Sequence, residues 1–523
     1  MRRARVSVRA VAALAIVAAL ATGCSDASRS SPAPALRLVA LHAEPDPVGG
    51  GRIVDAEGRT VILRGVNVNA LAEYWQGTSF PTTFPFTADD ADRIAAIGWN
   101  AVRLLLSWSR VEPAPGEIDE AYLAEADAAI ALLAERGVYS IVDLHQDAWN
   151  ATLVARPDES CAPPTEPAFG WDGAPGWATL DGGAPRCTRG GVRESSPAVL
   201  AAWGAFWSDA TGPGGVGIRT RYAEMWGALA RRWAGRPEIA GFDLMNEPNA
   251  FGGPAEASMS DMYADALTAI RAGEQAARDA GVEDVEPHLV LFEPSAIWSA
   301  TGNGPPPDFA HDRDVVYAPH VYTGGFSNGP ITAAAFQTAI DEARRFGGAP
   351  VLSGEWGTDP RRASDPADEY FVEHQDLQDE FRVSATLWTW HESCGDPHKA
   401  GDYRAGRVPY VWGEFEVDCT TNEITGLRTD LIDDLTRGWV RAAPGVLTSM
   451  RWDGESGVLE ASGVADREGI ELLAFLPASK SGDPSLQTSG LADVRTQPAP
   501  GGTSYVLTGH SAGGAWSLRA AGR

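Results

Sequence analysis

FDLMNEPNAF, residues 242–251, sets an apolar run directly against Asn246 and Glu247 and then stops at Pro248. An uninterrupted apolar run of this length suits a strand buried on both faces, as parallel sheets bury theirs. The carboxylate at its tip marks where the strand leaves the core. Seven further runs share the design: VILRGVNV (61–68), AVRLLLSW (101–108), VYSIVDLH (138–145), HLVLFE (288–293), VVYAPHVY (315–322), PVLSGEW (350–356) and ATLWTW (385–390). Between them lie helical stretches such as ADDADRIAAIG (88–98), EAYLAEADAAIALLAERG (120–137) and YADALTAIRAGEQAARDAG (263–281). Eight strands alternating with helices or long loops predict an α/β fold, a (β/α)8 barrel rather than an open doubly wound sheet. No GxGxxG follows a strand, which disfavours dinucleotide binding.

Such barrels carry their chemistry at the carboxyl ends of the strands. Glu247 therefore stands at the floor of a cleft, and PVLSGEW brings Glu355 to the same rim three strands further round. Two carboxyls facing one linkage is what glycoside hydrolysis requires. One must be protonated to hand a proton to the leaving oxygen, the other ionised to attack the anomeric carbon, and a separation of about 5–5.5 Å leads to retention. Glu247 is assigned as acid/base and Glu355 as nucleophile.

The chain has 523 residues, 44% of them hydrophobic, with 18 Trp, enough for one large barrel and an accessory module. Its 42 basic and 70 acidic residues give a net charge of −28, a field that repels phosphate, so nucleic acid is excluded as a partner. Residues 1–24 read as an export signal, with a basic start, an apolar core VAALAIVAAL and a small-residue end ATGC. ATGC resembles a bacterial lipobox in which Cys24 is acylated; a plain signal peptide is the alternative. Residues 25–48, rich in Ser, Pro and Ala, read as a flexible tether. The other cysteines, Cys161, Cys187, Cys394 and Cys419, are even in number and suit two bridges in an oxidising compartment. Sequence proximity favours Cys161 with Cys187 and Cys394 with Cys419, and three pairings are formally open.

The barrel is placed at 49–442. Its connection from 148 to 215 is too long for a plain βα loop and carries Trp149, Trp171, Trp177, Trp203, Phe206 and Trp207, so it is expected to shape a site. From 443 to 523 the period shifts to two, in VLTSMRWD (446–453), VLEASGV (458–464) and IELLAFLP (470–477), predicting an antiparallel β-sandwich. GHSAG (509–513) matches a hydrolase nucleophile elbow, but no acid or His follows Ser511, and it is read as a turn between strands.

GRIVDAEGRTVILRGVN (51–67), NAVRLLLSW (100–108), LHQDAW (144–149), DLMNEP (243–248), HVY (320–322), SGEWG (353–357) and WTW (388–390) succeed one another as in the retaining glycoside hydrolase family 5, which residues 50–440 resemble. Within it LHQDAW, DLMNEP and CGDPH (394–398) are similar to the endoglycoceramidases. The resemblance implies cleavage of the β-glycosidic bond between glycan and ceramide, and supporting roles. Arg103 would hold the nucleophile ionised, and Asn246 would bond the sugar 2-hydroxyl. His145, Asp147 and His320 would contact sugar hydroxyls, and Tyr322 would stand near the nucleophile. Trp388 or Trp390 would stack under the ring; strand alternation puts both on one face. Trp390-His391-Glu392 stands where those enzymes more often have Trp-Lys-Gln, and Asn249-Ala250-Phe251 also departs from their pattern, which leaves the preferred glycan open.

The expectation is an exported, extracellular, monomeric retaining β-glycosidase, lipid-anchored at the bacterial cell surface, whose partners are a glycolipid substrate and a membrane surface. Its ceramide groove would be formed by Trp75, Phe84, Phe86 and Trp149. His145 and Asp147 lack a third ligand, so no metal or other cofactor is expected. The alternatives are a galactosylceramide-type or glucosylceramide glycosidase, a β-glucan endoglucanase, and a non-catalytic carbohydrate-binding surface lipoprotein.

Overall fold

The computed structural model describes residues 37–521 apart from 251–252, 305, 327–328, 367, 478–483 and 500–503. The leader, Cys24, the first half of the tether (25–36) and Phe251 lie outside the described residues. Among the described residues no helix is long and apolar enough to cross a membrane.

Eight parallel strands form the barrel: Arg64–Leu71, Ala101–Ser107, Tyr139–His145, Ile239–Asp243, Leu289–Phe292, Val315–Tyr317, Leu352–Trp356 and Ser384–Leu387. They are called the first to the eighth here. They pair in the order sixth, fifth, fourth, third, second, first, eighth, seventh, and a bridge between Tyr317 and Val351 closes the ring. Every residue of the second, third and fourth strands is buried, as continuous apolar runs require. The sixth and eighth strands are shorter than the apolar runs suggest. Beyond Tyr317 and Leu387 the backbone leaves the regular ladder but still bonds to neighbouring strands, as where Val321 N–H donates to the Glu355 carbonyl at 2.8 Å.

Local chemistry fixes the helices. Thr87 opens the helix Ala88–Ile97 by accepting from Asp90 N–H while the Asp90 carboxylate accepts from Thr87 N–H, a reciprocal cap. That helix ends at Gly98, whose φ of +100° and closeness to Phe475 leave no room for a side chain: a Cβ would stand 2.4 Å from the ring.

The long third connection is a folded layer. Within it, strands Thr165–Pro167 and Cys187–Arg189 pair, the Cys161–Cys187 bridge ties its base, and helix Pro197–Trp207 lies on the barrel. Trp149 is 4.8 Å from Trp203 and 5.0 Å from Phe206, centroid to centroid, and is 1% exposed. Its place in the proposed ceramide groove is therefore corrected: its apolar area is already spent as core beneath the insertion.

The second region is a nine-stranded antiparallel sheet. Strands Trp439–Pro444, Val446–Asp453, Val458–Leu476, Ser485–Ser489, Leu491–Pro498 and Tyr505–Ala521 share a core of Trp439, Met450, Leu459, Leu472, Phe475, Leu507, Trp516 and Leu518. VLEASGV and IELLAFLP are one strand, bent where the register shifts between Ala465 and Glu471. GHSAG lies inside the last strand, not in a turn. Ser511 Oγ donates to the Arg467 carbonyl and accepts from Ile470 N–H across that bend.

The sheet also recruits the start of the chain. Leu41–Glu44, Arg52–Asp55 and Arg59–Val61 form a ribbon whose last strand pairs with Trp439–Pro444. The tether read at 25–48 is thus corrected at its end. Alternation in LHAE sends Leu41 and Ala43 into a core with Ile53, Val61, Ala101, Tyr139 and Leu289, at the amino-terminal end of the barrel strands.

Candidate active site

At the opposite end, the strand tips converge on a cavity of about 330 Å³ lined by His145, Asp147, Arg193, Asn246, Glu247, Tyr322, Phe326, Glu355, Trp388, Glu392, His398, Lys399 and Trp412. Beneath it lies Arg103, wholly buried in the second strand. Its Nε donates to Asp243 at 2.8 Å, Nη1 to Glu355 at 3.0 Å and Asn67 at 3.1 Å, and Nη2 to Asn246 at 3.1 Å and Glu293 at 3.2 Å. Asp143 is a further 3.0 Å partner. Burial alone would lower the guanidinium pKa, but Asp143, Asp243, Glu355 and Glu293 raise it well above the ordinary value, so Arg103 is a fixed cation.

Glu247 sits just past the fourth strand with φ +41°, a backbone conformation that residues with side chains adopt only when their surroundings enforce it. Here they do. Gln146 Nε2 donates to the carbonyls of Asn246 (2.7 Å) and Glu247 (3.0 Å), and Glu247 N–H donates to Glu293 at 2.9 Å. Glu355, at the end of the seventh strand, accepts from Arg103 on one oxygen and from Tyr322 Oη at 2.9 Å on the other. His320 joins the two acids: Nδ1 is 3.0 Å from Glu247 and 3.5 Å from Glu355, and Nε2 is 3.0 Å from Glu293. One oxygen of Glu247 and one of Glu355 lie within 4.8 Å of each other.

Charge is concentrated here. Burial pushes the Glu247 carboxyl up, yet the hydrogen bond and charge of His320, with Arg193 and Ser299, outweigh it and hold the group at about 2. Burial disfavours a charged His320, but Glu293, Glu355 and Glu247 raise it well above an ordinary histidine. Burial raises the Glu293 carboxyl, while the charges of His320 and Arg103 beside it favour its ionised form. His145 is held by burial at about 4 and is neutral at neutral pH; its Nδ1 is 2.8 Å from Asp143, and its ring stacks on Trp388 at 5.4 Å.

Arg103, His145, Asp147, Asn246, Glu247, His320, Tyr322, Glu355 and Trp388 are thus gathered at one site. Trp390 is not. The eighth strand ends at Leu387, so alternation no longer relates the two indoles, and Trp390 packs between Trp99 and Phe415 with Nε1 donating to Asp90 at 3.0 Å. Trp75, Phe84 and Phe86 are half-buried and do not line the cavity. The pairs Cys161–Cys187 and Cys394–Cys419 are the two that proximity favours.

Several site residues escaped the sequence reading. Arg193 comes from the long insertion: Nη2 is 2.5 Å from Asp147 and 3.6 Å from Glu247, and the guanidinium lies over Trp171. Lys399 pairs with Glu392 at 2.7 Å on the cavity wall. Asp143, Asp243 and Glu293 interrupt or end apolar strands, the same signal that singled out Glu247, and could have been found by it. Glu247, His320 and Glu355, and separately Glu392, Asp396 and His398, bring possible metal ligands together. In the first group Arg103 and His320 already supply the counter-charge, and in the second Lys399 does.

A family model described as cellulase (glycosyl hydrolase family 5) matches residues 54–393. Endoglycoceramidase I of Rhodococcus hoagii (strain 103S) is 30% identical over 306 residues, 55% of this chain and 54% of that protein, so the chain spans about half the length of this curated relative. The crystal structure of endogalactoceramidase is similar with a TM-score of 0.79 and 34% identity, covering 92% of this chain and 99% of that one. Endo-glycoceramidase II from Rhodococcus sp., in its ganglioside GM3 complex, has a TM-score of 0.66 and 25% identity, covering 90% of this chain and 99% of that one. The matched residues run from the ribbon before the first strand past the last strand of the barrel, and the chain belongs to glycosyl hydrolase family 5.

Proposed function

We propose that the chain is an endoglycoceramidase, a retaining β-glycosidase that releases the glycan of a glycosphingolipid from its ceramide. The observation that carries the reading is the pair of carboxyl oxygens of Glu247 and Glu355 within 4.8 Å, a spacing that suits direct attack and leaves no room for the water an inverting enzyme places between its acids. Glu355, which accepts hydrogen bonds from Arg103 and Tyr322, attacks the anomeric carbon while Glu247 protonates the leaving oxygen. Glu247 then takes a proton from water, which releases the sugar with its configuration retained. In this reading Asn246 bonds the 2-hydroxyl, His145 and Asp147 the sugar rim, and Trp388 the apolar sugar face, all four being residues that line the cavity. On the other flank Tyr322, Phe326 and Trp412 form an apolar wall suited to a sphingoid chain, with ring centroids 4.4 and 6.5 Å apart in sequence.

The choice of ceramide as aglycone is supported by the similarity to endoglycoceramidase I, endogalactoceramidase and endo-glycoceramidase II. The 34% identity to endogalactoceramidase favours, as a second reading, a galactose-linked ceramide. Mass detection of free ceramide from a panel of glucosyl- and galactosyl-linked glycolipids, beside reducing ends from soluble β-glucan, tests both. Release from β-glucan alone would make the chain an endoglucanase. A 2-fluoro-sugar should form an adduct on Glu355; no adduct, together with full turnover by Glu355→Gln, would overturn the mechanism, and no adduct together with no turnover of any substrate by the wild type would leave only a carbohydrate-binding role. Export and anchoring through Cys24 are part of the proposal. Labelled fatty acid should enter the wild-type chain in a bacterial host and not Cys24→Ser.

A further inference from the structure

One acid of the site has no part in the double displacement. Glu293, at the tip of the fifth strand, is 2% exposed and does not line the cavity. One of its oxygens accepts from Glu247 N–H at 2.9 Å; the other lies 3.0 Å from His320 Nε2 and 3.2 Å from Arg103 Nη2. Tyr263 clamps its peptide, with its hydroxyl donating to the Glu293 carbonyl at 3.0 Å and accepting from the N–H at 3.1 Å. Carboxyl, imidazole and carboxyl therefore stand in a row, Glu293, His320, Glu247, with Glu355 beside the same Nδ1.

The row answers a difficulty. Glu247 at about 2 is ionised in the free enzyme, whereas protonating a leaving oxygen requires it neutral. The charged groups facing His320 are Glu247 from beyond the fourth strand, Glu293 from the fifth, Glu355 from the seventh, and Asp143 and Asp243 from the barrel interior, with Arg103 paired to four of these five acids. Acids outnumber the base, so the imidazole retains a proton 3.0 Å from the oxygen that needs it.

We infer that Glu293 is a positioning residue of the reaction: through His320 Nε2 it keeps on that imidazole the proton that Glu247 takes up before protonating the leaving oxygen. The inference rests on the reading of Glu247 as acid. In the transfer the Nδ1–H bond of His320 breaks and an O–H bond forms on Glu247, so imidazolium and carboxylate become imidazole and carboxyl with no net change of charge. Substrate drives it, because a sugar filling the cavity strips water from Glu247 and disfavours its ionised form. Glu247 then gives the proton to the glycosidic oxygen. In the second step it takes one from the attacking water and returns it to His320.

Glu293→Gln tests this, since the amide keeps the shape and can still accept from Glu247 N–H but cannot carry charge. Without the anion at Nε2 the last proton leaves His320 more readily. The alkaline limb of kcat/KM should move down by about one pH unit, a tenfold loss of proton affinity, while the acid limb stays. The titration midpoint of His320, read by nitrogen NMR in the full-length labelled enzyme, should fall with it. Glu293→Asp, with the charge at shorter reach, should give an intermediate midpoint, and it serves if the Gln variant folds poorly. An alkaline limb or a His320 midpoint at its wild-type position in the variant overturns the inference. The NMR reading needs no substrate, so failure to release ceramide would sink the proposed function while leaving the imidazole result to be judged separately.

Discussion

Tyr322 Oη donates to Glu355 at 2.9 Å, on the oxygen opposite the one that Arg103 holds. The nucleophile is therefore gripped on both sides, by a neutral donor from the loop after the sixth strand and by a buried cation from the second. Hydrogen bonds to charged groups contribute about 1.5–3 kcal/mol, or roughly ten- to a hundredfold in rate. Tyr322→Phe should lower kcat/KM by that factor with an unchanged melting temperature. Wild-type kcat/KM in this variant would show that the hydroxyl does nothing for the nucleophile.

The two catalytic acids should fail differently. Glu247→Ala loses proton transfer, typically about 10²–10⁴-fold, but an aryl glycoside with a good leaving group still forms the glycosyl-enzyme. Azide should then restore turnover and yield a β-glycosyl azide. Glu355→Gln should show neither turnover nor rescue with any leaving group. Rescue of the second variant to the β-product would exchange the assignments.

The two tryptophans of WTW separate binding from stability. Trp388→Ala should raise KM with little loss of stability, because one face of its indole borders the cavity. Trp390→Ala should cost about 3–5 kcal/mol in urea unfolding, the usual penalty for truncating a buried indole. The opposite pattern would mean that the sugar platform is misassigned.

Helix Tyr370–Phe381 carries a pH dependence unrelated to catalysis. His374 is fully buried there, bonded to the Val321 carbonyl at 3.1 Å and to Gln378 at 2.9 Å, and burial holds it at about 3. Its folded pKa lies below the unfolded one, so the unfolded chain binds the proton first. The stability this neutral imidazole contributes is complete above about pH 6.5 and is lost as pH falls toward 3, by about 1.4 kcal/mol per unit. Chemical denaturation across that range should show the deficit of His374→Gln shrinking as the solution is acidified. A constant deficit would mean that His374 is protonated in the folded state.

The barrel was legible because its strands are continuous apolar runs that end on polar tips, and Glu247 and Glu355 were legible as those tips. What the sequence hid has physical reasons. Arg193 reaches the cavity through a layer whose path is set by a disulfide and an aromatic core, neither of which has a period. Trp390 lies past the end of a strand, where alternation says nothing about direction. Glu293 carries the same mark as Glu247, a carboxyl ending an apolar strand, but a two-acid mechanism gives no reason to look for a third. Leu41–Glu44 was obscured by the Ser, Pro and Ala around it, although alternation in LHAE is a strand signal.

That early strand has a geometric corollary. It seals the floor of the barrel, while the cleft opens at the ceiling, so the chain's leading segment and its substrate meet the molecule at opposite poles. An enzyme moored by its N-terminus would hold its mouth away from its mooring and would graze on lipids arriving from the surrounding medium.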